Sequence, residues 1–231
     1  MADLPSGRQL AILPNRQRDF VDRRTTGNQS VSSDRIQQAF SEASDTLRAF
    51  VESADGLTRV QEFADAARKT LKSGGLLMAC GNGGSMCDAM HFAEEFTGRF
   101  RRDRDPLPAI AFSDPSQITC IANDFGYDEV FARQVAAHGK AGDLLVAIST
   151  SGNSVNILRA IQVAKEKHVT TIGLAGGDGG KMKSEVDIPI LVPQAATSDR
   201  VQEIHMLVLH IAIEMVEREL FPHNYPGPDE A

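Results

Sequence analysis

The stretch that decides the fold is residues 144–154, LLVAISTSGNS, in which a short apolar run leads into a loop rich in hydroxyl side chains. A helical pattern begins directly after this loop, near Val155. Further short apolar runs stand at 76–80, 109–112, 171–174 and 188–192. Such runs, separated by amphipathic stretches, are typical of βαβ units and of a parallel sheet covered on both faces. The sequence therefore predicts an α/β fold, a doubly wound sandwich built on a five-stranded parallel sheet.

The chain is predicted to form one folded domain with two ends outside it. Helical patterns at residues 33–52 and 56–73 precede the first apolar run. Residues 1–33 are polar, rich in arginine and interrupted by proline and glycine, so we expect an extension outside the core. This extension is either a flexible tail or an arm that docks on a neighbouring subunit. The domain itself is expected over residues 34–222, with a C-terminal tail over residues 223–231.

The charge balance argues against a polyanionic partner. The chain carries 24 basic and 31 acidic residues, a net charge of -7, so neither nucleic acid nor an anionic membrane surface is an expected partner. An anionic substrate would have to be held by local donors. The three cysteines lack paired metal spacing, which fits a reducing compartment, and no apolar run is long enough for a signal peptide or membrane span. We expect a cytoplasmic protein.

Two of the loops that follow apolar runs are suited to bind an anion. The sequence GNGGS at residues 81–85 lets main-chain N–H groups approach an oxyanion, although a tight turn without a ligand would look the same. We expect Ser85 to cap the helix that follows. The second loop combines four hydroxyls with the positive end of a helix, which binds phosphate without lysine or arginine. Those hydroxyls belong to Ser149, Thr150, Ser151 and Ser154.

The spacing of His91 and Glu95 is the third chemical feature. Residues four positions apart on a helix share one face, so the imidazole and the carboxylate can converge on one atom. A surface ion pair would have the same spacing. One helix away from a phosphate-type loop, however, the pair is a candidate metal or acid/base site.

In combination, these motifs resemble a known family. Residues 145–154 resemble the phosphosugar-binding signature of SIS (sugar isomerase) domains. The segments 81–85 (GNGGS), 91–95 (HFAEE), 123–126 (NDFG) and 202–205 (QEIH) together resemble the phosphoheptose isomerases. Members of that family interconvert sedoheptulose 7-phosphate and D-glycero-D-manno-heptose 7-phosphate. The resemblance covers about residues 34–220, and it implies a SIS fold of flavodoxin-like type and a role in the first step of ADP-heptose biosynthesis for the lipopolysaccharide core or capsule.

The resemblance also implies roles for individual residues. It implies one zinc ion per subunit, held by His91, Glu95, Gln202 and His210. Glu95 and His210 would also carry the proton transfers, which we expect from opposite sides of the sugar chain. The residues expected to contact the substrate are Asn82, Gly83, Gly84, Glu95, Asn123, Asp124, Ser149, Thr150, Ser151, Ser154 and Gln202.

Helix geometry complicates the implied zinc site. Eight residues span about 12 Å along a straight helix, so Gln202 and His210 of one chain cannot easily hold the same ion. Either Gln202 lies on a distorted first turn or the pair is divided between subunits. We therefore expect a homo-oligomer whose sites use more than one chain, a tetramer as in the resembling family.

Other functions are compatible with parts of the sequence. A non-catalytic SIS adaptor that binds the replication initiator protein is the alternative, because the ending LFPH at residues 220–223 resembles that group. Those relatives lack the complete set of His91, Glu95, Gln202 and His210, which favours the isomerase. A SIS regulator, or an isomerase of another ketose phosphate, would share the fold without requiring this set.

Overall fold

The computed structural model describes residues 33–193 and 197–225. The helices of these ranges are Ser33–Val51 (α1), Gly56–Lys72 (α2), Gly84–Thr97 (α3), Pro115–Phe125 (α4), Ala132–His138 (α5), Val155–Glu166 (α6) and Ser198–Leu220 (α7). The strands are Leu77–Gly81 (β1), Ala109–Ala111 (β2), Leu144–Ile148 (β3), Thr170–Gly176 (β4) and Ile188–Val192 (β5). No helix in these ranges combines the length and the apolar character that a bilayer crossing requires.

The strands form one parallel sheet in the order β2-β1-β3-β4-β5. The predicted α/β fold with a five-stranded parallel sheet is therefore confirmed, and the order is the flavodoxin-like one. Strands β3 and β5 have the predicted bounds, whereas β4 is longer than the predicted 171–174.

Both faces of the sheet are buried, which explains why the strands read as continuous apolar runs. Along β1, Leu77 and Ala79 point into a core formed with α1, α2, α3 and α7. Met78 and Cys80 point into the opposite core, formed with α5, α6 and the partly buried face of α4. The helix α3, which carries His91 and Glu95, thus lies on the same face as α7.

The sheet order places the candidate loops beside one crevice. Strands β2 and β3 lie on opposite sides of β1, so the direction of winding reverses between β1 and β3. In open parallel sheets, ligands bind beyond the carboxyl ends of the strands at such a reversal. The loops that leave β1 and β3 are the GNGGS loop and the hydroxyl loop identified in the sequence.

The start of α3 differs from the prediction. The helix begins at Gly84 with Gly83 in the capping position, and no side chain caps it. Ser85 is buried within the first turn, so its predicted role as the cap is wrong. The backbone angle φ of Gly83 is 56°, a conformation that favours glycine, and this brings the chain into the helix before it reaches Ser85.

The predicted ends of the chain mostly lie outside the described residues. Of the predicted extension 1–33, only Ser33 is described, at the start of α1. Of the predicted tail 223–231, residues 223–225 are described, and the Tyr225 hydroxyl donates a hydrogen bond to Glu217 at 2.7 Å. The domain boundaries stay predictions.

Candidate active site

His91, Glu95 and His210 form a cluster between α3 and α7. His91 Nε2 lies 3.1 Å from Glu95 Oε1 and 3.2 Å from His210 Nε2. One donor atom from each residue lies within 4.8 Å of the other two. The local i,i+4 spacing on α3 provides the first contact, and the packing of α7 against α3 provides the second. The structure thus brings together three of the four residues that the sequence suggested for a metal site.

The donor set of this cluster fits zinc. Two imidazole nitrogens and a carboxylate oxygen are common zinc ligands, with metal–ligand distances of about 2.0–2.2 Å. In a tetrahedral arrangement, atoms at such distances from one ion are about 3.3 Å apart, close to the observed 3.1 and 3.2 Å. His91, Glu95 and His210 could therefore hold the ion, with two of their three separations already near the tetrahedral value.

Burial and the neighbouring side chains lower the pKa of His210. Burial is the largest cause that lowers the pKa of His210, and the nearby His91 and Arg101 lower it further. The carboxylate of Glu95 acts in the opposite direction and raises it. The net direction is downward, so His210 is held as the neutral imidazole, the form that can accept a proton or bind a metal.

Asp88 is a second buried carboxyl group near His91, and it was not among the site residues predicted from the sequence. It lies on α3 three residues before His91, is 8% exposed, and its Oδ2 has no hydrogen-bond partner among the described residues. Burial raises the pKa of Asp88 to about 6, while His91 acts to lower it. The i,i+3 spacing from His91 was the available signal, because it places Asp88 on the same side of the helix.

Gln202 lies apart from the cluster in this chain. The place that a Cβ atom on Gly84 would occupy is 2.3 Å from the Gln202 carboxamide nitrogen, so this side chain covers the start of α3. Gly84 precedes His91 by seven residues, about 10 Å along a helix. Helix α7 runs without interruption from Ser198, so it offers no distorted segment that would bring Gln202 to His210. A shared metal ion would require Gln202 from another chain.

In the hydroxyl loop after β3, two of the four hydroxyls lie close together. Ser149 Oγ and Ser154 Oγ are 3.1 Å apart, and α6 begins at the next residue, Val155. Gly152 makes the turn possible, because its φ is 64° and a Cβ atom there would lie 1.9 Å from the Gly179 carbonyl oxygen. This arrangement places hydroxyls at the positive end of a helix, as phosphate binding requires. Thr150 and Ser151 belong to the same turn.

Asn82 is held by a network that the sequence did not reveal. Its Nδ2 donates to Asn156 Oδ1 at 2.9 Å, and Asn156 Nδ2 donates back to Asn82 Oδ1 at 2.8 Å. The Tyr127 hydroxyl donates to the same Asn82 oxygen at 3.0 Å. The buried Asn156 thus joins the loop after β1 to the first turn of α6. Its sequence separation of 74 from Asn82 left no local signal.

Asn123 and Asp124 lie at the exposed C-terminal end of α4. Asn123 Nδ2 donates to Asp124 Oδ1 at 2.7 Å, so the two side chains are directed together. The following turn carries Tyr127, which connects this segment to Asn82. The predicted substrate contacts of Asn123 and Asp124 stay predictions.

Comparisons with known proteins agree with these motifs. Residues 39–176 match the family model of the SIS domain. Phosphoheptose isomerase of Fusobacterium nucleatum subsp. nucleatum is 51% identical over 179 residues, which are 78% of this chain and 92% of that protein. The structure of phosphoheptose isomerase from Neisseria gonorrhoeae has a TM-score of 0.74 and 37% identity, over 80% of this chain and 97% of that one. The Francisella tularensis enzyme has a TM-score of 0.76 and 33% identity, with the same coverage.

Proposed function

Because this chain belongs to the phosphoheptose isomerases, a family of SIS-domain aldose–ketose isomerases, we propose that its substrate is sedoheptulose 7-phosphate. The product would be D-glycero-D-manno-heptose 7-phosphate, and the reaction would begin the synthesis of ADP-heptose for a lipopolysaccharide core or capsule. The observation that carries this proposal is the convergence of His91, Glu95 and His210 on one point. The cytoplasmic location stays a prediction.

The hydroxyl loop supports a phosphate-bearing substrate. Ser149 and Ser154 present hydroxyls beside the start of α6 without a basic side chain in the turn itself. Helix N–H groups and hydroxyls bind phosphate well because both donate hydrogen bonds to its oxygens. We assign the phosphate to this loop and the reacting end of the sugar to the His91, Glu95 and His210 cluster.

Isomerisation requires a proton to move between neighbouring carbons. We assign to the Glu95 carboxylate the removal of a proton from C1 of the ketose, which leaves an enediolate, and its return to C2. Groups that approach a carbon from opposite sides at about 3–3.5 Å would be about 6–7 Å apart. The donor atoms of Glu95 and His210 lie within 4.8 Å. This differs from the arrangement expected from the sequence, and we propose that both act on the same side of the sugar.

A second proton must move between the oxygens. The O1 hydroxyl loses its proton as C1 becomes an aldehyde, and O2 gains one as the ketone becomes a hydroxyl. We assign this relay to His210, because its lowered pKa leaves it neutral and able to accept the O1 proton before it donates to O2.

We also propose that His91, Glu95 and His210 hold one zinc ion per subunit. A lone pair bound to zinc cannot accept a proton, so the proton transfers assigned to Glu95 and His210 would require these side chains to be free of the ion during turnover. A bound zinc ion would supply positive charge to the sugar oxygens. Gln202 would complete the set only from another chain, and we therefore retain the proposal of a homo-oligomer, a tetramer. The isolated subunit would then lack one ligand.

The test is incubation with sedoheptulose 7-phosphate, followed by NMR detection of the aldose, with and without a chelator. Glu95→Gln should lower kcat by at least about 100-fold, because a general base typically contributes 10²–10⁴-fold. Glu94→Gln is the matched control, since Glu94 is the exposed neighbour on α3. Near-normal turnover of folded Glu95→Gln would remove that residue from the mechanism, and unchanged turnover after complete zinc removal would contradict a catalytic metal.

The ending LFPH at residues 220–223 is the feature that favours the alternative of a replication-initiator adaptor, whereas the cluster of His91, Glu95 and His210 favours the isomerase. The same incubation separates the two functions, because an adaptor would produce no aldose from sedoheptulose 7-phosphate.

A further inference from the structure

Arg104 has a buried side chain, and each of its three guanidinium nitrogens has an acceptor. Its side chain has 0% exposure, and its Nε donates to Glu217 Oε1 at 2.7 Å. Nη2 donates to the main-chain carbonyl of Glu95 at 2.6 Å, and Nη1 donates to those of Phe96 at 2.7 Å, Gly98 at 3.0 Å and Asp105 at 3.2 Å. A guanidinium presents five donors in a fixed plane, so this geometry holds its partners in defined positions.

Three of the four carbonyls that Arg104 binds, those of Glu95, Phe96 and Gly98, lie at the end of α3. The last carbonyls of a helix have no partner within the helix, and the negative end of the helix dipole favours a cation there. Arg104 meets both requirements. One of its acceptors is the carbonyl of Glu95, the residue whose side chain lies in the metal-binding cluster. The guanidinium therefore fixes the main chain from which that carboxylate extends.

The other half of the contact belongs to α7. Glu217 is 0% exposed, and its second oxygen, Oε2, accepts a hydrogen bond from the Tyr225 hydroxyl at 2.7 Å. Glu217 follows His210 by seven residues, about two turns, so both lie on the side of α7 that faces α3. Arg104 thus connects the end of α3 to α7 two turns beyond the His91–His210 contact.

We propose that the buried Arg104–Glu217 pair is a positioning device, which sets the spacing of α3 and α7 at which His91, Glu95 and His210 converge. The cluster depends on this spacing because His91 and Glu95 lie on α3 whereas His210 lies on α7, and the contact between the helices is the 3.2 Å approach of two imidazoles. A displacement of about 1 Å can lower a rate about 100-fold. A buried ion pair is by itself weak support for stability, which leaves geometry as the role of this one.

The decisive variant is Arg104→Lys. Lysine retains the positive charge, but its ammonium has three donors and cannot reach Glu217 and the carbonyls of α3 together. We expect kcat to fall about tenfold or more and the dissociation constant for zinc to rise about tenfold or more, in the range found when groups that support metal ligands are altered. KM should stay within about twofold of wild type, because the hydroxyl loop 149–154, to which we assign the phosphate, does not contact the Arg104–Glu217 pair. The matched control is Arg159→Lys, which alters the Arg159–Glu129 pair (3.0 Å) outside the cluster.

A double variant separates positioning from stability. Replacement of a buried ion pair by apolar residues often leaves a protein folded, so we expect Arg104→Met combined with Glu217→Met to fold. Its stability should fall, because main-chain carbonyls of α3 and the Tyr225 hydroxyl lose their partners. If kcat and zinc affinity stay low in this folded protein, the pair acts on geometry. If both return to wild-type values, the pair is structural only and the proposal is overturned. Should the double variant not fold, Arg104→Lys decides, and wild-type kcat and zinc affinity in that variant would overturn the proposal.

The proposal rests on the proposed function, but the two can fail separately. A wild-type protein that does not isomerise sedoheptulose 7-phosphate would refute the substrate, while zinc titration of wild type and Arg104→Lys would still test the positioning. A wild-type protein that turns over without binding zinc would refute the metal, while the separate effects on kcat and KM would still test the positioning.

Discussion

The buried imidazole of His205 should make the protein less stable as the pH falls. His205 lies on α7 with 0% exposure, and burial lowers its pKa from 6.5 to about 4. In the unfolded chain the imidazole takes up a proton as the pH falls through about 6.5, whereas in the native state it stays neutral until about pH 4. Protons therefore bind the unfolded state preferentially between these values. The free energy of unfolding should fall by about 2 kcal/mol between pH 7 and pH 5, and by about 3 kcal/mol over the whole window.

Asp88 has the opposite effect over much of the same range. Its pKa is raised from 3.8 to about 6, so the native state takes up a proton before the unfolded state does. The free energy of unfolding therefore rises as the pH falls through this window, by up to about 3 kcal/mol. The pH profile of the wild type alone cannot isolate His205, because the two contributions partly cancel. A variant that removes only the imidazole can.

The assay is urea unfolding of zinc-free wild type and His205→Met at pH 7 and pH 5. Methionine fills a similar volume without titrating, so the stability of the variant relative to wild type should improve by about 2 kcal/mol from pH 7 to pH 5. His138→Gln, which removes an imidazole from the exposed end of α5, is the control for the loss of a surface histidine. The reasoning would be refuted if the difference between His205→Met and wild type were the same at both pH values.

Three further predictions concern the site. The apparent pKa of the acid limb of the kcat profile should lie below that of an ordinary imidazole, because burial lowers the pKa of His210. An apparent pKa above the ordinary imidazole value in a pH–rate series would contradict a neutral His210. Asn156→Leu should raise KM for sedoheptulose 7-phosphate by about tenfold, since Asn82 loses both reciprocal hydrogen bonds, each worth about 0.5–1.5 kcal/mol; an unchanged KM in steady-state kinetics would show that Asn82 needs no support. Inactive Gln202→Ala and His210→Ala subunits should regain turnover when mixed and reassembled, because some mixed sites would combine intact residues from two chains, and no recovery would argue for sites within single chains.

The fold was predictable because its decisive signals are local. A strand buried on both faces reads as a short apolar run, and the turn residues on either side give its bounds. The prediction for β4 stopped at Leu174, whereas the strand continues to Gly176. Gly176 continues the strand beneath a packed side chain, because a Cβ atom there would lie 2.8 Å from the side chain of Val201. That contact depends on tertiary packing, which the sequence pattern does not contain.

In the candidate site too, contacts between residues close in sequence were predictable, and contacts between distant residues were not. The contact of His91 with Glu95 follows from helical spacing, and the approach of Ser149 to Ser154 follows from a short turn. The reciprocal bonds of Asn82 and Asn156 span 74 residues, and the Arg104–Glu217 pair spans 113. Such pairs meet only because particular helices and loops become neighbours. Periodicity identifies the face of each element but not the element that will cover it.

Residue spacing along α3 and α7 explains why Gln202 lies apart from the cluster of His91, Glu95 and His210. Gln202 on α7 lies against Gly84 at the start of α3, and His210 on α7 lies against His91 on α3. The two contacts are eight residues apart on α7 and seven residues apart on α3. Nearly equal steps along both helices mean that α3 and α7 run side by side in the same direction, with two contact points about 10–12 Å apart. One point is the cluster, and the other is the glycine loop. Within one chain, Gln202 is therefore placed to contact a substrate held at that loop, whereas a role as a metal ligand requires the Gln202 of a second chain.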